Sequence, residues 1–181
     1  MAESERRLAH TRSYRIDAFA RPDGLWDLEA RMTDVKARDI ELHTGPLPAG
    51  EPLHDMRLHL TIDTTFNVVG VEVSTKAAPY IGECETFPQA YQSLVGLNLL
   101  SGFRAAVRER VGGTQGCTHL NELASILPTV AIQSMGAERF GDGRSAQSQP
   151  PHLGRCRALR TDGPVVARFY PRWARTQGKS E

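Results

Sequence analysis

Three stretches of this sequence bring together residue types that can bind a metal or transfer a proton: His54-Asp55, Glu83-Cys84-Glu85 and Gly116-Cys117-Thr118-His119. Together they offer two thiols, two imidazoles and several carboxylates, a donor set suited to a single zinc or iron ion. In such a site thiolate sulfurs lie about 2.3 Å from zinc and imidazole nitrogens about 2.0 to 2.1 Å. We therefore expect Cys84, Cys117 and at least one of His54 and His119 as metal ligands, with Asp55 or Glu83 as the group that moves a proton. Thr118 is a good helix cap, which sets Cys117 just outside a helix and His119 just inside it. There the unpaired amides and the positive end of the macrodipole favour a thiolate. Glu122, about one turn after His119, is placed to orient its ring. Only Cys117-x-His119 is a short spacing, so a buried thiol and an ordinary core histidine are the competing reading for each residue taken alone. Cys156, among Arg155, Arg157 and Arg160, and His59, on the polar side of a strand, are weaker candidates. The sequence contains no Gly-x-Ser-x-Gly elbow, no P-loop and no Gly-x-Gly-x-x-Gly turn.

The elements that must position these residues follow from hydrophobic period. Tyr14, Ile16 and Ala18 alternate with polar residues, as do Trp26, Leu28, Ala30 and Met32, and Asp23-Gly24 between them is a hairpin signal. Val35–Leu42 extends the second strand or opens another, and Gly45–Gly50 reads as a loop. Met56, Leu58, Leu60 and Ile62 mark the clearest strand. Phe66–Val73 is its partner across Asp63-Thr64-Thr65. The start of one hairpin strand and the end of its partner share one edge, so His54, Asp55 and Cys84 are expected to be neighbours.

Helical spacing begins near Phe87 and runs in two segments to Gly112-Gly113. A third helix carries Leu120, Leu123, Ala124, Leu127 and Ala131 on one stripe, with Pro128 expected to kink or end it. Gly141–Pro151 has linker composition, and Cys156–Tyr170 reads as a short hairpin around Asp162-Gly163-Pro164. The expected fold class is α+β: an antiparallel β-meander over residues 13–73, covered on one face by helices over 87–135. These form one domain over 1–138, with 139–181 as a linker and basic extension packing on it.

Length and charge narrow the function classes. A chain of 181 residues suits a single domain with its own core. Its net charge of +1 argues against a nucleic-acid binder, although nine Lys and Arg but only three Asp and Glu fall from Arg139 onward. No apolar run approaches a membrane span, and the first residues lack the apolar stretch of a secretory signal. Three widely spaced cysteines suit reduced thiols or ligands better than a disulfide framework. A cytoplasmic protein acting on a small molecule is expected, without nucleic-acid or membrane partners; a homodimer is among the states the sequence permits.

Two resemblances add to this. Arg15-Ile16-Asp17, Asp23-Gly24-Leu25-Trp26, His54-Asp55-Met56, Gly116-Cys117-Thr118-His119-Leu120 and Asp162-Gly163-Pro164-Val165-Val166 resemble a bacterial domain-of-unknown-function family with a Gly-Cys-Thr-His-Leu signature. That likeness covers nearly the whole chain and implies no activity. More distantly, the order of parts is similar to the U-type iron–sulfur cluster scaffold, the SufE/NifU-like fold. By that resemblance His54 stands where the first cysteine would be, Cys84 matches the middle one, and Cys117 with His119 matches the last pair. The changed ligand set implies a fixed mononuclear ion rather than cluster assembly. Three readings follow: a zinc- or iron-dependent lyase or hydrolase, a scaffold or carrier of iron–sulfur or zinc without turnover, and a non-catalytic interaction domain.

Overall fold

The computed structural model describes residues 5–80, 82–84, 86, 88–140 and 148–175, with side chains of the long helix described as far as Gly136. Ile81, Glu85 and Phe87, and the linker stretch 141–147, lie outside the described residues. The chain forms two compact units, residues 1–128 and 129–181.

The first unit is built on a four-stranded antiparallel sheet in the order β1-β2-β5-β6, formed by β1 (His10–Ala20), β2 (Trp26–Lys36), β5 (Pro52–Ile62) and β6 (Val68–Ala77). The α+β class and the meander follow from the alternation seen in the sequence. Leu28, Met32, Leu58, Leu60 and Ile62 are fully buried on one face, and Arg31 and Arg57 are exposed on the other. Each such buried side chain contributes about 1.5–3 kcal/mol of transfer free energy. A small hairpin, β3 (Ile40–Leu42) and β4 (Gly45–Leu47), interrupts the meander between β2 and β5. The start of the expected Gly45–Gly50 loop is thus a strand, with Gly45 at φ 115° turning the chain back onto Leu42.

The β5–β6 turn is held by Asp63, whose carboxylate accepts from the Thr65 amide at 2.7 Å and the Asn67 amide at 2.9 Å. Among the described residues Phe66, with φ 68°, is the one non-glycine at positive φ, and its ring is buried. Beyond β6 come α1 (Pro88–Tyr91), a short 3₁₀ turn over Gln92–Leu94, and α2 (Phe103–Val111). Residues 96–99 hydrogen-bond to Phe66 and Val68, so the start of edge strand β6 is paired. Tyr91, Leu94, Phe103, Val107 and Val111 join the core.

Helix α3 runs over Thr118–Phe140 and continues through Pro128 instead of ending there. Pro128 lacks the N–H that would serve the Ala124 carbonyl, and at the next carbonyl along, Ser125, Arg104 Nε donates at 2.8 Å. In the second unit, the expected hairpin is replaced by α4 (Pro164–Phe169). Gly163 stands at its cap and Pro164 in its first turn, where a proline's fixed φ and absent N–H are tolerated. Among the described residues no helix is long and apolar enough to cross a membrane.

Candidate metal centre

The site is assembled by sheet register and one helix end. Arg12 on β1, Asp34 on β2 and His54 on β5 are directly opposite one another, a polar row continuing the buried face beyond the Met32–Met56 pair. A bulge between Asp34 and Val35 ends the regular β2–β5 pairing at this point. Asp34 is 2% exposed, and a charge so buried must be paired. Arg12 grips it with two parallel bonds, Nε to Oδ1 and Nη2 to Oδ2, both 2.8 Å. His10 Nε2 lies 3.0 Å from Oδ1 and His54 Nδ1 3.0 Å from Oδ2. Burial alone would raise the Asp34 carboxyl, but hydrogen bonding and charge from Arg12, then from His54, hold it well below the usual carboxylate range.

Helix α3 brings the remaining groups. The Asn121 amide donates to the Cys117 carbonyl at 3.0 Å, so Cys117 occupies the cap position and Thr118 the first turn, and the helix starts one residue earlier than the sequence suggests. Buried Tyr91 explains the shift: its hydroxyl accepts from the Cys117 amide at 3.1 Å and lies 3.0 Å from the Cys117 carbonyl and 2.7 Å from Asn121 Oδ1. Gly116 permits this approach, since a Cβ there would come within 2.5 Å of the Val111 carbonyl and 3.1 Å of the Tyr91 hydroxyl.

His119 then packs on His54, with ring centroids 4.1 Å apart at an interplanar angle of 42°. Its Nε2 is 3.7 Å from Asp34 Oδ2 and its Nδ1 3.8 Å from Cys117 Sγ, which also touches Met56 Sδ at 3.6 Å. Burial lowers the affinity of both imidazoles for protons. For His119 the charges of His54 and Arg12 push the same way, whereas at His54 the bond to Asp34 opposes the shift. Both rings thus favour the neutral state, the form that ligates a metal.

Among the described residues, Asp34, His54 and His119 form a group whose ligand atoms all lie within 4.8 Å of one another. Ligand atoms around tetrahedral zinc, at bond lengths of about 2.0–2.1 Å, sit roughly 3.3 Å apart. The 3.0 and 3.7 Å separations from Asp34 Oδ2 bracket that value. His10 meets the other oxygen, Oδ1, while Arg12 bonds both oxygens, so Arg12 would orient and neutralise the carboxylate while sharing Oδ2 with the two rings.

The sequence candidates divide accordingly. His54 and His119 come together, and Cys117 lies against His119. Cys84 stands outside the group, on the turn after β6, where its carbonyl accepts from Thr75 Oγ1 at 3.3 Å. Asp55 faces the opposite side of the sheet and pairs with Arg31 at 2.7 and 2.8 Å. Glu83 is exposed on the same turn as Cys84, with its carbonyl accepting from Thr86. Glu122 serves Arg12 rather than the His119 ring: it accepts from Arg12 Nη1 at 2.8 Å and from the Tyr14 hydroxyl at 2.7 Å. His59 Nε2 is 3.1 Å from Asp27, and Cys156 is exposed.

Asp34, Arg12 and His10 were missed by sequence reasoning. The available signal was parity: Asp34 lies two residues beyond Met32 and Arg12 two before Tyr14, so charges occupy positions where the alternation calls for apolar side chains.

No curated protein and no solved structure matches the chain. A family model, described as a protein of unknown function (DUF2889), matches residues 10–133, a span that contains every residue of this centre. The chain therefore belongs to the DUF2889 family of proteins of unknown function.

Proposed function

We propose that this protein is a metal-dependent enzyme of small-molecule chemistry, a lyase or hydrolase, whose zinc or iron ion is held by Asp34, His54 and His119. The observation that carries the reading is the convergence of one ionised carboxylate and two neutral imidazoles at near-ligand spacing. An ion held by three such ligands keeps at least one position open and supplies a Lewis acid for a substrate carbonyl or hydroxyl oxygen. The chain's own groups do the rest. Arg12 and His10 hold the Asp34 carboxylate in place. Cys117 stands beside His119 as the group able to exchange a proton with substrate.

A second reading has its own support. Arg12 already occupies both oxygens of Asp34, and Cys117, His119 and Asp34 stand in the order thiol, imidazole, carboxylate. That order suits a metal-free thiol nucleophile with His119 as its base. Metal titration of the untagged protein separates the two. The metal reading expects one zinc or iron per chain, lost in His54→Ala and His119→Ala and kept in Cys117→Ala. The thiol reading expects no tight metal, with Cys117 alkylation slowed in His119→Ala. A wild-type chain that binds zinc and iron no more tightly than His54→Ala refutes the metal reading.

A further inference from the structure

The uncovered face of the sheet carries an arrangement that the metal centre does not use. Arg15 on β1, Arg31 on β2 and Arg57 on β5 stand directly opposite one another, and Ser74 on β6 completes the row. Like charges directly across neighbouring strands are unfavourable, so three arginines in one row require compensation. Two of them have it: Arg15 Nε lies 2.7 Å from Asp17, and Arg31 donates two hydrogen bonds to Asp55. Arg57 has no carboxylate partner among the described residues.

These four side chains line a pocket of about 360 Å³, within the range of small-ligand sites. Asp17, Glu29 and Glu72 border it from the next row along the strands, with His59 between the two glutamates. The acidic row repels a long polyanion such as nucleic acid. A single compact anionic group can reach the arginine row without meeting it, because facing residues in successive rows are roughly 7 Å apart along a strand.

We propose that this pocket binds the oxyanion group, phosphate or carboxylate, of a small molecule. Arg57 is the anchor, its planar fork taking two oxygens at once. The flanking charges of Arg31 and Arg15 and the Ser74 hydroxyl complete the cradle. The site is independent of the metal reading, since it lies on the other face of the sheet.

Calorimetric titration of the full chain at low salt tests it, with inorganic phosphate and malonate as separate probes. Saturable one-site binding of at least one probe is expected, weakening as salt is raised. Arg57→Gln should weaken it at least about tenfold, whereas Arg38→Gln, which removes an exposed charge elsewhere, should not change it. Tighter phosphate assigns a phosphoryl group, and tighter malonate a carboxylate. Equal binding in wild type and Arg57→Gln overturns the proposal, as does the absence of saturable binding below about 10 mM. Sedimentation of the same samples supplies the third arm. A wild-type dimer that becomes a monomer in Arg57→Gln would make this face a subunit interface and likewise overturn it.

Discussion

The two faces of the sheet carry parallel charged rows, Arg12–Asp34–His54 on the covered face and Arg15–Arg31–Arg57 on the open one. Each contains a two-bond arginine–aspartate pair of nearly identical geometry, 2.8 and 2.8 Å for Arg12–Asp34 and 2.7 and 2.8 Å for Arg31–Asp55. What differs is the surroundings. Both carboxylates are buried, with side chains 2% exposed for Asp34 and 10% for Asp55, but Asp34 is shared with three histidines, whereas Asp55 has the more exposed Arg31 as its hydrogen-bonding partner. Geometry alone therefore does not set the worth of an ion pair. Water access and the number of groups depending on the charge do.

Asp34→Ala should have the largest effect. It leaves Arg12 and the histidines around an empty position, and removal of one member of a buried pair costs about 3–5 kcal/mol. Urea denaturation would read this directly, and a loss below about 1 kcal/mol would erase the distinction between the faces. Tyr91→Phe comes next, because it strips the hydroxyl that fixes the Cys117 amide and its neighbour Asn121. Leaving such buried groups unpaired costs about 1–3 kcal/mol, and zinc or iron affinity should fall with it as His119 loses its anchor.

The pH response sharpens the comparison further. Burial holds His54 and His119 below their ordinary proton affinity. As pH falls through about 6.5 the unfolded chain takes up protons that the folded chain resists, so stability declines until the folded imidazoles are protonated too. The Asp34 carboxyl works in a lower window: its contribution is whole above about pH 3.9 and is lost as pH falls through its depressed folded value. Urea midpoints measured between about pH 7.5 and 5 should therefore fall in wild type and fall less in a His54→Gln, His119→Gln double variant. A pH-independent wild type would count against neutral imidazoles. The smallest effect belongs to the open face. Arg15→Gln should leave the urea midpoint almost unchanged, since Arg15 and Asp17 are both exposed and regain water when the pair is broken.

Much of the frame could be read from the sequence because its signals are local. Met56–Ile62 and Trp26–Met32 alternate, and the Asp23-Gly24 turn forms as expected, with Gly24 at φ 81°. The signals failed where a distant partner overrode a local preference. Thr118 yields the cap to Cys117 because Tyr91, 26 positions before that cysteine, holds the backbone, and of the two outcomes expected at Pro128 the helix end does not occur there. The site was half legible for the same reason. His54 and His119 could be named from residue type, but Asp34 becomes central only through the pairing of β1, β2 and β5. The edge argument for Cys84 named the right end of the sheet without fixing where the chain goes afterwards. The last β5–β6 pair is Asp55 with Ala77, and six residues follow before the thiol.

The bulge at Asp34/Val35 has a consequence for how this chain tolerates changes in length. The two-residue alternation of a strand assigns each side chain to a face, and a shift by one reverses every assignment beyond it. Deleting Thr33 would turn Asp34 outward and bring Val35 to the position opposite Arg12 and His54. Deleting a residue after the bulge, in the segment leading to the β3–β4 hairpin, would leave that assignment intact. Insertions and deletions should therefore be accepted after Lys36 and rejected between Trp26 and Asp34, a stretch of nine residues whose length is as much a part of the centre as its ligands.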